Sequence, residues 1–195
     1  MTNKYKKSGA AGILIAIIAV IVIALFMIVP TYNRLAGSNE NVNQAYAQVQ
    51  NVVQRRADLI PNLVNTVKGY TDHESDTLTK VTNARAGVQN ATNPKELAEA
   101  NDQLTRAIGD INVVVESYPD LKADGQFVQL MDELAGSENR ISTERKNYNE
   151  AVQVYNTDIR KFPTNLIAKF TGYKPAEYFK ADVSAQEAPK VNFGN

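Results

Sequence analysis

The chain has 195 residues, which is enough for one compact domain beside a membrane segment but too few for two ordinary domains. Its 21 basic residues balance 21 acidic residues, so the overall charge gives no indication of a nucleic-acid partner. Cysteine is absent, which excludes disulfide bonds, thiol catalysis, cysteine-rich zinc modules and a lipid-modified cysteine.

An apolar segment lies near the N-terminus. Residues 8–33 contain no charged side chain, and residues 13–29 are uninterrupted apolar sequence. Twenty helical residues from Ala10 onward rise about 30 Å, which matches the hydrocarbon core of a bilayer. We therefore predict a retained transmembrane helix. A cleaved signal peptide is the alternative, but its apolar region would normally be shorter, and no A-x-A cleavage site follows this one.

The charges beside this segment predict its orientation. Lys4, Lys6 and Lys7 precede it, whereas only Arg34 follows it closely. Because positive charge near a span is enriched on the cytoplasmic side, we predict a cytoplasmic N-terminus and a helical domain outside the cytoplasm. Residues beyond 29 carry 18 basic and 21 acidic side chains, a balance that argues against binding to a nucleic-acid backbone.

Two seven-residue ladders of mostly apolar residues predict two long helices with coiled-coil-like packing. The first ladder runs Leu35, Val42, Val49, Arg56, Leu63 and Tyr70, and the second runs Phe127, Leu134, Ile141, Tyr148, Tyr155 and Phe162. Pro61 lies inside the first ladder. It predicts a kink in one helix, with a break into two helices as the alternative.

Two shorter helices are predicted between the long ones. The first covers about residues 74–91. The second begins after Asn93, where an N-cap, a proline in the first turn and Glu96 at the capping-box position follow one another. Pro119 is predicted to stop that helix, and Asp124 is predicted to cap the last long helix.

The sequence therefore predicts an all-α protein, in which a transmembrane helix is followed by an elongated antiparallel bundle of two long and two short helices. We divide the chain into a short basic N-terminus at 1–8, a transmembrane helix at 9–30 and a bundle domain at 31–163. Residues 164–195 form an interfacial segment and a loose tail.

Several spaced motifs resemble those of one protein family. They are RRADLIPNLV at 55–64, VKGY at 67–70, YPDLKA at 118–123, the Tyr-Asn pairs at 148–149 and 155–156, and Tyr-Phe at 178–179. Over residues 30–180 the chain is similar to the LemA family. The resemblance implies an N-terminally anchored, all-helical envelope protein of bacteria with no established enzymatic activity. It also implies a cell-membrane location, and proteins similar to this family occur in magnetosome membranes.

No catalytic, cofactor or metal site is predicted. His73 is the only histidine, and a metal site would need a second imidazole or a cluster of carboxylates. Serine-nucleophile motifs, phosphate-binding glycine loops and paired catalytic carboxylates are missing as well. We therefore expect a protein that is not an enzyme.

Three charged residues on the ladders predict a polar layer inside the bundle. If the two long helices pack antiparallel, Arg56 is level with Ile141, and Glu138 lies about 4.5 Å further along. We predict that Arg56 and Glu138 form an ion pair and that Arg145 finds another acceptor.

Two surfaces are predicted to mediate interactions. The long helices extend beyond the short pair, so their seam residues there are predicted to be exposed and to form an oligomer surface. These are Tyr46, Val49, Tyr148 and Tyr155. Apolar residues alternate with lysines near the C-terminus and predict a membrane interface, unless they fold back as a cap on the bundle. These are Leu166, Phe170, Tyr173, Tyr178 and Phe179.

The leading functional hypothesis is a non-catalytic, membrane-anchored scaffold that self-associates or organises other envelope proteins. The alternative is a regulator or adaptor that binds a membrane protease or a lipid. The expected partners are the bilayer, further copies of the chain and other envelope proteins, with no nucleic acid.

Overall fold

The computed structural model describes residues 6–71 and 74–179, and these residues are helical with no strand. The helices are α1 (Lys6–Lys68), α2 (Ser75–Asn90), α3 (Pro94–Val115), α4 (Pro119–Lys122), α5 (Gly125–Arg160) and α6 (Thr164–Thr171). The predicted all-α fold, a long N-terminal apolar helix followed by packed helices, is confirmed. Lys4, His73 and the predicted tail, residues 181–195, lie outside the described residues.

The apolar segment and the first bundle helix form one helix, α1, and not the two separate elements that the sequence predicts. Within the described residues, α1 is the one helix long and apolar enough to cross a membrane. The large apolar side chains described between residues 13 and 29 are 45–76% exposed. Exposure of so many neighbouring apolar groups is unfavourable in water and suits a lipid environment.

α1 also continues through Pro61, so the alternative of a break into two helices is wrong. A proline has no N–H, which leaves the carbonyl of Ala57, four residues earlier, without its helical partner. Arg85 of α2 supplies that partner, because its Nε donates to Ala57 O at 3.1 Å. Ile60 and Leu63 on either side of the proline are buried, so the apolar seam stays in phase.

The start of α3 matches its prediction closely. Asn93 Oδ1 accepts a hydrogen bond from the Glu96 N–H at 2.9 Å. The Glu96 carboxylate reaches back to the N–H of Thr92 at 2.8 Å, one residue earlier than in the standard capping box. Hydrogen bonds to this carboxylate, that from the Thr92 backbone most of all, lower the pKa of Glu96.

The end of α3 differs from the prediction, and two short helices are additional. α3 ends at Val115 and not at Pro119, because Pro119 begins a further helix, α4, where its missing N–H costs nothing. The other additional helix is α6, in the segment predicted to be interfacial. The predicted cap of the last long helix is confirmed, since Asp124 Oδ1 accepts from the Phe127 N–H at 2.8 Å.

The chain forms two compact units. The first consists of Met1–Asn41 and Gln153–Ala176, and the second of Val42–Val152 and Glu177–Asn195. In the first unit Leu35 and Tyr155 are almost completely buried. In the second, the buried core follows the predicted ladders and adds α3; its members include Val49, Val53, Leu63, Val67, Leu104, Ile111, Leu134 and Ile141.

Candidate functional site

A buried polar layer crosses the core of the second unit. Arg56, near the middle of α1's bundle part, is 3% exposed and forms an ion pair with Glu138 of α5. This is the pairing that the helix register predicts. Two α3 residues that the sequence does not single out complete the layer: Arg56 Nη1 also donates to Asn101 Oδ1 at 3.2 Å and to Thr105 Oγ1 at 2.8 Å.

The electrostatics of this layer are those of a costly buried charge. Burial lowers the pKa of Arg56, while the nearby carboxylates of Glu138 and Asp102 oppose that shift. The Glu138 side chain is 38% exposed, so water reaches one end of the pair. Arg56 Nε and Asn101 Nδ2 are buried without a hydrogen-bond partner among the described residues, which makes the network only partly satisfied.

Arg145 finds a separate acceptor, as predicted. Its Nη1 lies 3.4 Å from Asp102 Oδ1 on α3, and both side chains are largely buried. The guanidinium also lies over the Phe179 ring, 5.3 Å from its centroid, in a cation–π contact. Arg145 therefore joins α5 both to α3 and to the segment that follows α6.

The predicted oligomer surface is not exposed within the second unit. Tyr148 is 2% exposed, Val49 is completely buried and Tyr46 is half-buried. Phe179 packs against the two tyrosines: its ring lies 5.5 Å from that of Tyr148 and 6.5 Å from that of Tyr46. The prediction that these residues form an exposed stripe is wrong, because the chain folds back over its own seam.

The same contacts decide the position of Phe179. It is 4% exposed, so the prediction that it contacts the membrane is wrong, and the fold-back alternative applies to it. Burial raises the pKa of the Tyr148 hydroxyl to about 12. That hydroxyl donates to the carbonyl of Glu177 at 2.8 Å, which holds the covering segment in place.

In the first unit, Tyr155 is also removed from the predicted oligomer surface. Its side chain is 1% exposed, and its hydroxyl donates to the carbonyl of Lys174 at 2.9 Å. The irregular residues after α6 thus cover this tyrosine as well. Tyr173, at the start of that stretch, is half-buried and packs against Tyr32 of α1 with ring centroids 6.4 Å apart.

Each Tyr-Asn pair contributes an asparagine that sequence reasoning missed. Asn149 Nδ2 donates to Phe179 O and its Oδ1 accepts from Phe179 N, both at 2.9 Å. Asn156 makes the same reciprocal pair with Ala176, at 2.9 and 2.8 Å. A primary amide offers one donor side and one acceptor side, as a peptide group does. The repeat of Tyr-Asn after seven residues was the available signal.

The remaining predicted membrane-contact residues are exposed. Leu166 and Phe170 lie on α6 with 50% and 89% of their surfaces accessible, and Tyr178 is 44% exposed. α6 packs on α1, because Arg34 Nη2 donates to Thr164 Oγ1 at 3.0 Å. The first unit therefore places two bare apolar side chains beside the long apolar helix.

No group of three or more His, Cys, Asp or Glu residues that could hold a metal ion occurs within 6–71 and 74–179. His73 is outside those ranges. The features that the described residues offer are ion pairs between helices, covered aromatic residues and the exposed side of α6.

Comparison with known proteins places these features in a family. The model of the LemA family matches residues 45–193. Magnetosome protein MamQ 2 of Paramagnetospirillum magneticum is 29% identical over 175 residues, which cover 76% of this chain and 64% of that protein. The chain thus spans less than two thirds of that relative's length. Protein LemA of Metamycoplasma hominis is 29% identical over 176 residues, which cover 86% of this chain and 79% of that protein. This chain belongs to the LemA family.

Proposed function

We propose that the chain is a non-catalytic, membrane-anchored scaffold of the bacterial cell envelope that gathers copies of itself or other envelope proteins. The observation that carries this proposal is the continuity of α1. Its exposed apolar residues between 13 and 29 lead without a helix break to Leu35, which is buried in the first unit. A continuous helix transmits position better than a flexible linker, which suits a protein that holds partners at a membrane.

The use of buried charge supports a structural role. Arg56 is paired with Glu138, and Arg145 with Asp102, so these ionisable groups bind one another across helices. Such pairs specify which helix faces meet. The likeness to a magnetosome protein supports a role in a larger assembly. The match covers 64% of that relative, so the activity of the whole relative is not carried over to this chain.

Self-association is favoured by membrane anchoring and not by the aromatic stripe that the sequence suggested. The aromatic stripe at Tyr46 and Tyr148 is covered by the chain itself, so copies would not meet there. Anchoring confines all copies to one surface in one orientation, which raises their effective concentration and favours lateral contact.

The alternative function, a regulator or adaptor, has one observation in its favour. Leu166 and Phe170 are exposed on α6 beside α1, which favours contact with lipid. A lipid-contacting surface is also compatible with the scaffold.

The proposed location is the inner membrane, crossed once with the N-terminus in the cytoplasm. The lysines before the span and the single Arg34 after it support this orientation. Protease added outside spheroplasts should digest the helical domain. Complete protection of that domain in sealed spheroplasts would contradict the orientation.

The scaffold itself is tested by crosslinking in native membranes, followed by mass measurement of the detergent-solubilised complexes. The natural chain should appear in complexes larger than one copy, whereas Ile17→Lys/Ile21→Lys, which places charge in the span, should lose them. Val113→Lys is the matched control, because Val113 is 74% exposed on the bundle and its replacement should leave the complexes intact. A natural chain that remains a monomer without partners would contradict the scaffold and leave the regulator as the better proposal.

A further inference from the structure

α6 has one buried side and one bare apolar side. Thr164 and Ala168, four residues apart, are 0% and 3% exposed and face the unit. Leu166 and Phe170, also four apart, share the outer side, because residues at this spacing lie one above the other on a helix. Phe162, 76% exposed, stands just before the helix. The helix thus presents two large apolar side chains outward, and Phe162 before it adds a third exposed one.

The contacts of α6 with α1 fix its level relative to the apolar span. Tyr32 and Arg34, which contact Tyr173 and Thr164, come three and five residues after Val29. At the helical rise they are about 4.5 and 7.5 Å beyond the last residue of the uninterrupted apolar run. The headgroup layer on each side of a bilayer is about 5–8 Å thick. α6 is therefore held at the depth of the lipid headgroups and not further out in water.

The distribution of charge also favours a membrane contact for the first unit. Residues 31–41 and 153–176 of the first unit carry five basic and two acidic side chains. Residues 42–152 of the second unit carry 11 basic and 16 acidic side chains. Lys169 on α6 and Lys174 just after it are exposed. Basic side chains next to a membrane are attracted by anionic headgroups, whereas a protein partner would not require this bias to sit at the end of the span.

We propose that α6 is a membrane-surface helix, which inserts Leu166 and Phe170 at the headgroup boundary and holds its lysines against anionic phosphates. The occupant of this surface is the bilayer from which α1 emerges. Interfacial helices bury their apolar side about 5–10 Å into this boundary, which agrees with the level set by α1. The inference rests on the anchoring in the proposed function and adds a second, peripheral attachment to it.

The test uses the natural lack of cysteine, which permits a single label at a chosen position. The full chain with Phe170→Cys carries an environment-sensitive fluorophore and is reconstituted in vesicles of phosphatidylcholine and phosphatidylglycerol. Its emission should shift to the blue, lose most of its quenching by iodide in the water, and be quenched by spin-labelled lipids. Val113→Cys is the control, since Val113 is 74% exposed and belongs to the second unit, and its label should keep the aqueous behaviour.

A charge variant tests the headgroup contact. Near an anionic surface each basic side chain favours the membrane-bound state of α6 about fivefold. Phosphatidylglycerol should therefore favour that state about 25-fold less in Lys169→Gln/Lys174→Gln than in the natural chain. High salt should reduce the effect of phosphatidylglycerol on the natural chain in the same direction.

Two results would overturn the inference. One is a label at Phe170 that iodide quenches as strongly as the control label. The other is a label shielded from water but quenched only by a second labelled copy, which would mean that the surface contacts protein. Leu166→Cys repeats the measurement if Phe170→Cys loses helicity. Flotation of the vesicles separates the two proposals: loss of the chain from vesicles contradicts the anchor, whereas a bound chain with an aqueous label contradicts the surface helix alone.

Discussion

Replacing Glu138 with leucine would leave Arg56 as a buried charge without its carboxylate. Removing one member of a buried ion pair costs about 3–5 kcal/mol, because the remaining charge is uncompensated. Glu138 is 38% exposed, so water can partly replace its carboxylate, and we expect a loss near the low end, about 3 kcal/mol. Asn101 and Thr105 would remain as neutral acceptors of the guanidinium.

Replacing both members gives a different result. Arg56→Leu/Glu138→Leu removes the stranded charge, but it leaves the buried Asn101 side chain without the donor that Arg56 supplies. An unsatisfied buried acceptor costs about 1–3 kcal/mol, so the double variant should be less stable than the natural chain by about that amount. It should still lose less than the sum of the two single variants, by about 1–3 kcal/mol of coupling.

The assay is urea unfolding of the full chain in detergent, followed by helix content in circular dichroism, for the natural chain and the three variants. Lys146 and Glu150 are the matched control pair on the same helix; their side chains are 77% and 63% exposed. Alanine replacements there should couple by about 0.5 kcal/mol or less. Additive losses at Arg56 and Glu138, equal to those of the control pair, would refute the idea that the layer is held by paired buried charge.

The other predictions concern single contacts. Arg85→Met should cost about 1–3 kcal/mol in urea unfolding, because the Ala57 carbonyl loses its donor; a loss below 0.5 kcal/mol would show that water replaces it. Because the folded pKa of Tyr148 is about 12, stability should fall by about 1 kcal/mol per pH unit between about pH 10 and 12. Tyr148→Phe should remove this contribution, and equal slopes for the two chains would contradict it. Asn156→Ala should accelerate hydrogen exchange of the Ala176 amide, and an unchanged rate would refute the backbone contact.

The helical ladders show how much the sequence could predict. Apolar spacing of seven residues identified the buried side along most of each long helix, and Leu35, Val49, Leu63 and Ile141 are all at 1% exposure or less. The last member of each ladder is exposed, Tyr70 at 44% and Phe162 at 76%. The spacing does not tell what covers a buried side. Tyr148 was assigned to an exposed end of the seam, whereas the residues after α6 cover it. A segment that is neither helix nor strand has no sequence periodicity that would indicate this contact.

The polar layer was predictable only in part, for a related reason. Arg56 and Glu138 lie on two ladders whose antiparallel register can be counted, so their pairing follows from the sequence. Asn101 and Thr105 belong to α3, whose level relative to the long helices depends on where the loops bring it. A sequence count along two helices cannot supply the position of the third.

Local signals gave the right helix starts and some wrong helix ends. Asn93 and Asp124 cap helices as predicted, because a side-chain oxygen three residues before an unpaired N–H is a local arrangement. Pro119 is predicted to end a helix, but proline fits the first turn of a helix equally well, and Pro119 begins α4. α6 was missed because eight residues are too few for a clear helical repeat.

The central claim is that the intact chain is held in the membrane by the apolar part of α1. The most direct measurement is alkaline carbonate extraction of native membranes, followed by the intact mass of the protein in each fraction. The protein should stay with the membranes, and its mass should include residues 13–29. A protein released into the supernatant, or one whose mass lacks that segment, would contradict the central claim.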